Sequence, residues 1–172
     1  RGLNQAGRNV NDGISMLQVA EGGLDETTNA LQRMRELSVQ SANDTYTTSD
    51  RTSMQLEVSQ LISEINRIAS DTEFNNQTLL NGSLSGKIMH AGMDTSQFVS
   101  VSISAATATA LGVGSLAITT QAAANTAITT LDTAINSVSS IRANLGSLQN
   151  RFESIIANLS NVVENVSAAR SR

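Results

Sequence analysis

The sequence predicts a mainly α fold, an elongated antiparallel bundle of three long helices with a small β-hairpin region. Three observations predict it. The first is a heptad stripe in the C-terminal third: Leu131, Val138, Leu145, Phe152, Leu159 and Val166 recur every seven residues, and Ala134, Ile141, Leu148, Ile155, Val162 and Ala169 follow three behind. Alternating steps of three and four place all twelve on one helix face, the pattern of a helix packed along its length against others. The second is the absence of proline from all 172 residues, which removes the main helix breaker. The third is an aromatic-poor composition: one Tyr, three Phe and no Trp. A core built from Leu, Ile, Val, Met and Ala suits narrow seams between helices.

The protein reads as a single unit in four segments. A first helix is expected over residues 1–43. Leu3, Val10, Leu17, Leu24 and Leu31 recur at seven, with Ala6, Gly13, Ala20 and Met34 completing the three–four alternation. The Gly22-Gly23 pair costs roughly 1 kcal/mol per glycine in a helix interior, yet the register runs on through it. Asp44 to Ser49 is a polar turn without periodicity. A second helix is expected over residues 50–71, capped by Ser49 or Asp50, with the seam Met54, Val58, Leu61, Ile65 and Ile68. Helix, short turn, helix implies an antiparallel pair.

Residues 72–119 change character. Asn75-Asn76 and Asn81-Gly82 are turn signals. Phe98 to Ile103 alternates as a strand does, and Lys87-Ile88-Met89 is placed to pair with it across Gly92-Met93-Asp94. A hairpin or two is expected here, then an Ala/Thr/Gly-rich connector. The last helix, residues 120–172, would extend roughly 75 Å at 1.5 Å per residue, a rod element rather than part of a compact globule. Neither end carries a helix stop signal, so the sequence reads as a segment of something longer.

Composition excludes several functions. A net charge of −4 and a pI near 4.9 give no basic footprint for nucleic acid or anionic lipid. No apolar run approaches the eighteen or so residues of a membrane span. Without cysteine there is no disulfide or thiolate chemistry, and no HExxH, GxSxG or P-loop pattern occurs, so no catalytic, metal or cofactor site is expected. The single histidine, His90, falls in the expected hairpin, where a solvated side chain is the ordinary reading.

One segment stands out. At 100° per residue, Thr27, Leu31, Met34, Ser38 and Ser41 share the seam, while Arg33, Leu37 and Gln40 lie within about 60° of one another on the outer side. An exposed leucine flanked by arginine and glutamine is a candidate recognition patch; the alternative is an ordinary surface stripe with one stray apolar residue.

Several motifs, in order, resemble bacterial flagellin: Asn11-Asp12-Gly13-Ile14-Ser15, Ala20-Glu21-Gly22-Gly23-Leu24, Leu31 to Leu37, and Thr72-Glu73-Phe74-Asn75. Leu148-Gln149-Asn150-Arg151-Phe152 and Ser167 to Arg172 resemble the flagellin C-terminal helix. The resemblance implies an outer rod domain of a secreted, extracellular filament subunit whose partners are other flagellin subunits. It implies no enzyme activity and no cofactor. The short middle leaves out the variable outer domains many flagellins insert. The helices that drive polymerisation would lie outside this sequence, so the protein alone is expected to stay monomeric. Gly23, where many flagellins carry alanine, is expected to loosen the first helix.

In flagellins the stretch resembling Leu31 to Gln40 is recognised by Toll-like receptor 5. Matched residue by residue, that implies receptor-binding roles for Gln32, Arg33, Leu37 and Gln40, with Glu57 as the counterpart on the second helix. Arg33 would supply a planar donor fork, Leu37 the apolar anchor and Glu57 a paired charge. A hook–filament junction protein, which shares the helical ends, is the alternative; the Leu31–Asn43 pattern favours flagellin.

Overall fold

A computed structural model describes residues 2–92 and 96–171. The elements are α1 (Gly2–Ser41), α2 (Thr48–Asp71), β1 (Glu73–Phe74), β2 (Gln77–Thr78), β3 (Lys87–His90), β4 (Phe98–Val101) and α3 (Gln121–Ser171). The fold is mainly helical, as the periodicity predicts. Arg1, Arg172 and the residues Met93 and Asp94 of the expected hairpin turn lie outside the described residues. No helix among the described residues is long and apolar enough to cross a membrane.

α1 is the shared partner of the bundle, packed on α3 and, along its C-terminal half from Gly23 to Ser41, on α2. Cross-links between α1 and α3 show the antiparallel sense: Gly13 lies against Phe152, Glu21 meets Arg142, and Arg35 meets Asp132. The seams are those the sequence marks. Val10, Leu17, Leu24, Leu31 and Met34 of α1 are buried with Leu131, Ala134, Val138, Ile141, Leu145 and Phe152 of α3.

The stripe of α3 does not stay buried to its end. Leu148 and Ile155 are partly covered, while Val162 is 39% exposed and Val166 54%. Around Leu159 and Val163 the facing residues of α1 are Leu3 and the small or polar Asn4, Gly7, Arg8 and Asn11, so the seam opens toward this end.

Two boundaries differ from expectation. α1 ends at Ser41 rather than at residue 43, because the Arg51 guanidinium reaches back to the carbonyls of Ser41 (2.8 Å) and Asn43 (3.0 Å). The N-cap of α2 is Thr47, not Ser49 or Asp50. The Thr47 hydroxyl accepts the Asp50 N–H at 3.3 Å, and an Asp50 carboxylate oxygen accepts the Thr47 N–H at 2.9 Å and its hydroxyl at 2.7 Å. This reciprocal box satisfies two amides that a free helix end leaves bare. Asp50 belongs to the cap, but from inside the helix.

Gly23 does not merely loosen α1. A methyl there would meet Thr72 Oγ1 at 2.6 Å and Leu80 Cδ1 at 2.8 Å, so the glycine is what lets the segment after α2 lie on the helix. Gly13 likewise admits Met89 and Phe152.

After α2 comes a two-residue hairpin: Glu73 pairs with Thr78 and Phe74 with Gln77. Its loop, Asn75-Asn76, has both φ angles positive (49° and 60°), the requirement of a primed hairpin turn that asparagine tolerates better than most residues. β3 and β4 pair antiparallel, Lys87 with Val101 through His90 with Phe98. Val99 and Val101 are buried and Met89 packs against the core, whereas Ile88 and Phe98 stay exposed. The connector after β4 is pinned by polar side chains. The Ala108 N–H donates to Asn66 Oδ1 (3.0 Å). The Gln55 amide accepts the Ile118 N–H (2.7 Å) and donates to the Leu116 carbonyl (3.1 Å). The Ser41 hydroxyl donates to the Ile118 carbonyl (2.5 Å).

Candidate recognition surface

The segment singled out by sequence lies on about the last three turns of α1, facing the first half of α2. The helical pair brings Arg33 and Glu57, 24 residues apart in sequence, together at 2.7 Å (Nε to Oε1). Arg33 Nη1 also reaches Glu36 Oε2 at 3.0 Å. Hydrogen bonds first to Glu57 and then to Glu36 hold the Arg33 pKa above its already high ordinary value, so the guanidinium is permanently charged. Both members of the pair are about half exposed, so the bridge adds little to stability. Its consequence is geometric. It holds an arginine fork at a fixed place on the surface, with Nη2 unpartnered among the described residues.

Gln32 and Gln40 are exposed, and the Gln40 amide donates to the Tyr46 hydroxyl at 3.0 Å, tying the end of α1 to the turn before α2. Leu37 is placed differently from the expectation. It is 2% exposed and belongs to the core, so it is no exposed anchor. The reason is that α1 has two neighbours. A wheel drawn for one seam buries Met34, Ser38 and Ser41; with α2 on the adjacent side the buried arc widens to take in Leu37.

Apolar surface does exist here, on residues that the sequence pattern did not single out. Leu56, next to Glu57, is 66% exposed, and Val39 beside Gln40 is half exposed. The signal was available for Leu56, which falls off the Met54–Val58–Leu61–Ile65 seam. The surface is therefore an arginine–carboxylate bridge flanked by glutamine amides and one projecting leucine. It can bind a partner; it holds no nucleophile and base in contact. His90 sits exposed on β3, remote from it, its carbonyl accepting from Asn9 at 3.4 Å. Among the described residues no three His, Cys, Asp or Glu side chains gather as a metal site.

Comparison with known proteins places these features in a family. The profile for the bacterial flagellin N-terminal helical region matches residues 1–85, and that for the C-terminal helical region matches residues 128–172. A flagellar filament 30.7 kDa core protein of Treponema maltophilum is 46% identical over 99% of this chain, which spans 65% of that protein's length. The crystal structure of Bacillus cereus flagellin superposes with a TM-score of 0.76 at 33% identity, over 95% of this chain and 94% of that one. A Vibrio parahaemolyticus protein described as flagellar hook-associated shares the fold, with a TM-score of 0.79 at 14% identity, over 98% and 89% of the two chains.

Proposed function

The chain belongs to the bacterial flagellin family, and on that premise we propose that the full-length protein is a structural subunit of an extracellular flagellar filament. Its partners in that role are further copies of itself or other flagellins. The observation that carries the reading is the 46% identity, over 99% of this chain, to a protein named as a filament core component. The hook–filament junction alternative draws on a neighbour at 14% identity, which speaks to fold alone. The test is complementation. The full-length gene expressed in a strain lacking its flagellin should restore filaments visible by electron microscopy. Filaments still missing despite secretion of the protein would overturn the assignment.

The same surface supports recognition by Toll-like receptor 5, through Gln32, Arg33, Gln40 and Glu57, with Leu37 beneath them. What supports this is the Arg33–Glu57 bridge, which fixes an arginine fork on an otherwise polar face. Leu37 lies below them as part of the buried core on which this end of α1 rests. Arg33→Ala should weaken binding to the purified receptor ectodomain by about tenfold or more, with helix content unchanged. An unaltered dissociation constant would remove Arg33 from the site.

A further inference from the structure

The link between β2 and β3 contains the one Asn-Gly dipeptide in the sequence, Asn81-Gly82. Both residues are exposed, and Gly82 holds a φ of +89°. Ser83 donates its backbone N–H to Asn81 Oδ1 at 2.9 Å, closing a tight side-chain turn over Gly82. The Gly82 N–H makes no hydrogen bond among the described residues. An unengaged amide nitrogen, without a Cβ beside it, thus stands next to a side-chain amide whose oxygen is already polarised by a backbone donor.

We infer that Asn81 is a site of spontaneous deamidation promoted by this turn. The Gly82 nitrogen attacks Asn81 Cγ and gives its proton to solvent. Negative charge develops on Oδ1, where the Ser83 N–H lies ready to stabilise it. The bond from Cγ to the side-chain nitrogen breaks and ammonia leaves, closing a succinimide ring. Water then opens the ring. Cleavage of the bond between Cγ and the ring nitrogen yields aspartate; cleavage of the bond between the backbone carbonyl carbon and that nitrogen yields isoaspartate. The balance is asparagine plus water to acid plus ammonia, and water is the only co-reactant.

Asn43 supplies an internal control. It too is exposed, and its Oδ1 accepts the Thr45 N–H at 3.2 Å in the same kind of turn. Its next residue, however, is Asp44, whose side chain hinders the attacking nitrogen. The surroundings of Asn81 also bear on the product. The carbonyls of Leu80 and Leu84 accept from Ala106 (2.8 Å) and Ile103 (2.9 Å), fixing the backbone on both sides. Isoaspartate would insert a further carbon into this clamped segment. Aspartate keeps the backbone length and still accepts the Ser83 N–H, so the native fold favours it.

The test incubates the folded protein at mildly alkaline pH in water enriched in heavy oxygen and maps the peptides by mass spectrometry, beside a sample unfolded in urea. In ordinary water the exchange of NH₂ for OH adds about 1 Da; heavy water-oxygen adds its label to the same residue. The expected result is conversion at Asn81 before Asn43, at a native rate no slower than the unfolded one, and with a smaller isoaspartate fraction in the native protein. Asn81→Gln, which cannot close a five-membered ring, should remove the modification and keep the fold. Conversion of Asn43 as fast as Asn81, or suppression of Asn81 conversion by folding, would overturn the inference.

Discussion

Two adjacent glycines in the middle of α1 make a matched pair for a stability experiment. Gly22 faces open space, with nothing within 4 Å of an added Cβ. Gly22→Ala therefore collects the helix-propensity gain alone, about 0.5–1 kcal/mol. Gly23→Ala gains the same propensity but places its methyl 2.6 Å from Thr72 Oγ1 and 2.8 Å from Leu80 Cδ1. Neither neighbour yields easily. The Thr72 hydroxyl is held by the Ile68 carbonyl at 2.6 Å where α2 ends, and Leu80 is fully buried. Overpacking of this kind costs about 1–3 kcal/mol, which outweighs the propensity term and leaves a net loss of about 1 kcal/mol. At roughly 2–4 °C per kcal/mol for a domain of this size, the two variants should melt about 4–8 °C apart, with Gly22→Ala above the parent and Gly23→Ala below it. Far-UV circular dichroism with thermal and urea denaturation reads this directly. Equal stabilisation by both substitutions would refute the close approach as the reason for Gly23. Adding Leu80→Ala supplies a further check, because that truncation should cost less beside Gly23→Ala than alone.

Other outcomes follow from the same structure. Thr47→Ala should lower stability by about 1 kcal/mol through loss of the α2 cap, read as a shift in urea midpoint. The Thr47 hydroxyl and backbone N–H also hold the Asp50 carboxyl below its ordinary value. A carboxyl depressed by folding stabilises above the unfolded value, near 3.9, and that contribution disappears as pH falls through the folded value, so the gap between parent and Thr47→Ala should narrow in strong acid. Gln55→Leu strands the Leu116 carbonyl and the Ile118 N–H; a loss of about 2 kcal/mol in chemical denaturation is expected, and a neutral result would show that water replaces the amide. Small-angle scattering at micromolar concentration should give a monomer longer than the ~16 Å radius of gyration of a compact domain of this length, and that compact value would rule out the rod.

The helices were legible because their seams are regular. Leu131 through Leu145 and Leu3 through Met34 repeat at helical spacing, and helix formation in a bundle follows the apolar stripe more than local propensity. What resisted reading depends on neighbours. Leu37 looks outward on a wheel with one partner helix, yet in the three-helix bundle it belongs to the buried core. Thr47 is not marked as the cap because its capping acid is aspartate rather than glutamate, so the box lacks its usual signature. Gly23 reads as a weakness in one helix and becomes a fit only when Thr72 and Leu80 are set against it. Of the candidate surface, the Arg33–Glu57 juxtaposition was recoverable by resemblance. The projection of Leu56 was recoverable from the α2 register alone.

The seam between α1 and α3 is lined largely by Leu, Ala, Val and Ile, side chains that fix axial register weakly apart from the fit of Phe152 against Gly13. Four polar links oppose movement of one helix along the other: Arg35 to Asp132 at 2.6 Å, Arg142 to Asp25 at 3.1 Å and to Glu21 at 3.7 Å, and Gln149 to Glu21 at 3.2 Å. Each is exposed or partly so and adds little to the folding free energy. A shift of one turn, about 5.4 Å, would part Arg35 from Asp132, while Arg142, which reaches carboxylates one turn apart on α1, would keep only one of its two partners. Spread along the rod, they act as index marks against axial slip, so a bundle loaded along its axis resists sliding at points where an all-apolar seam would creep.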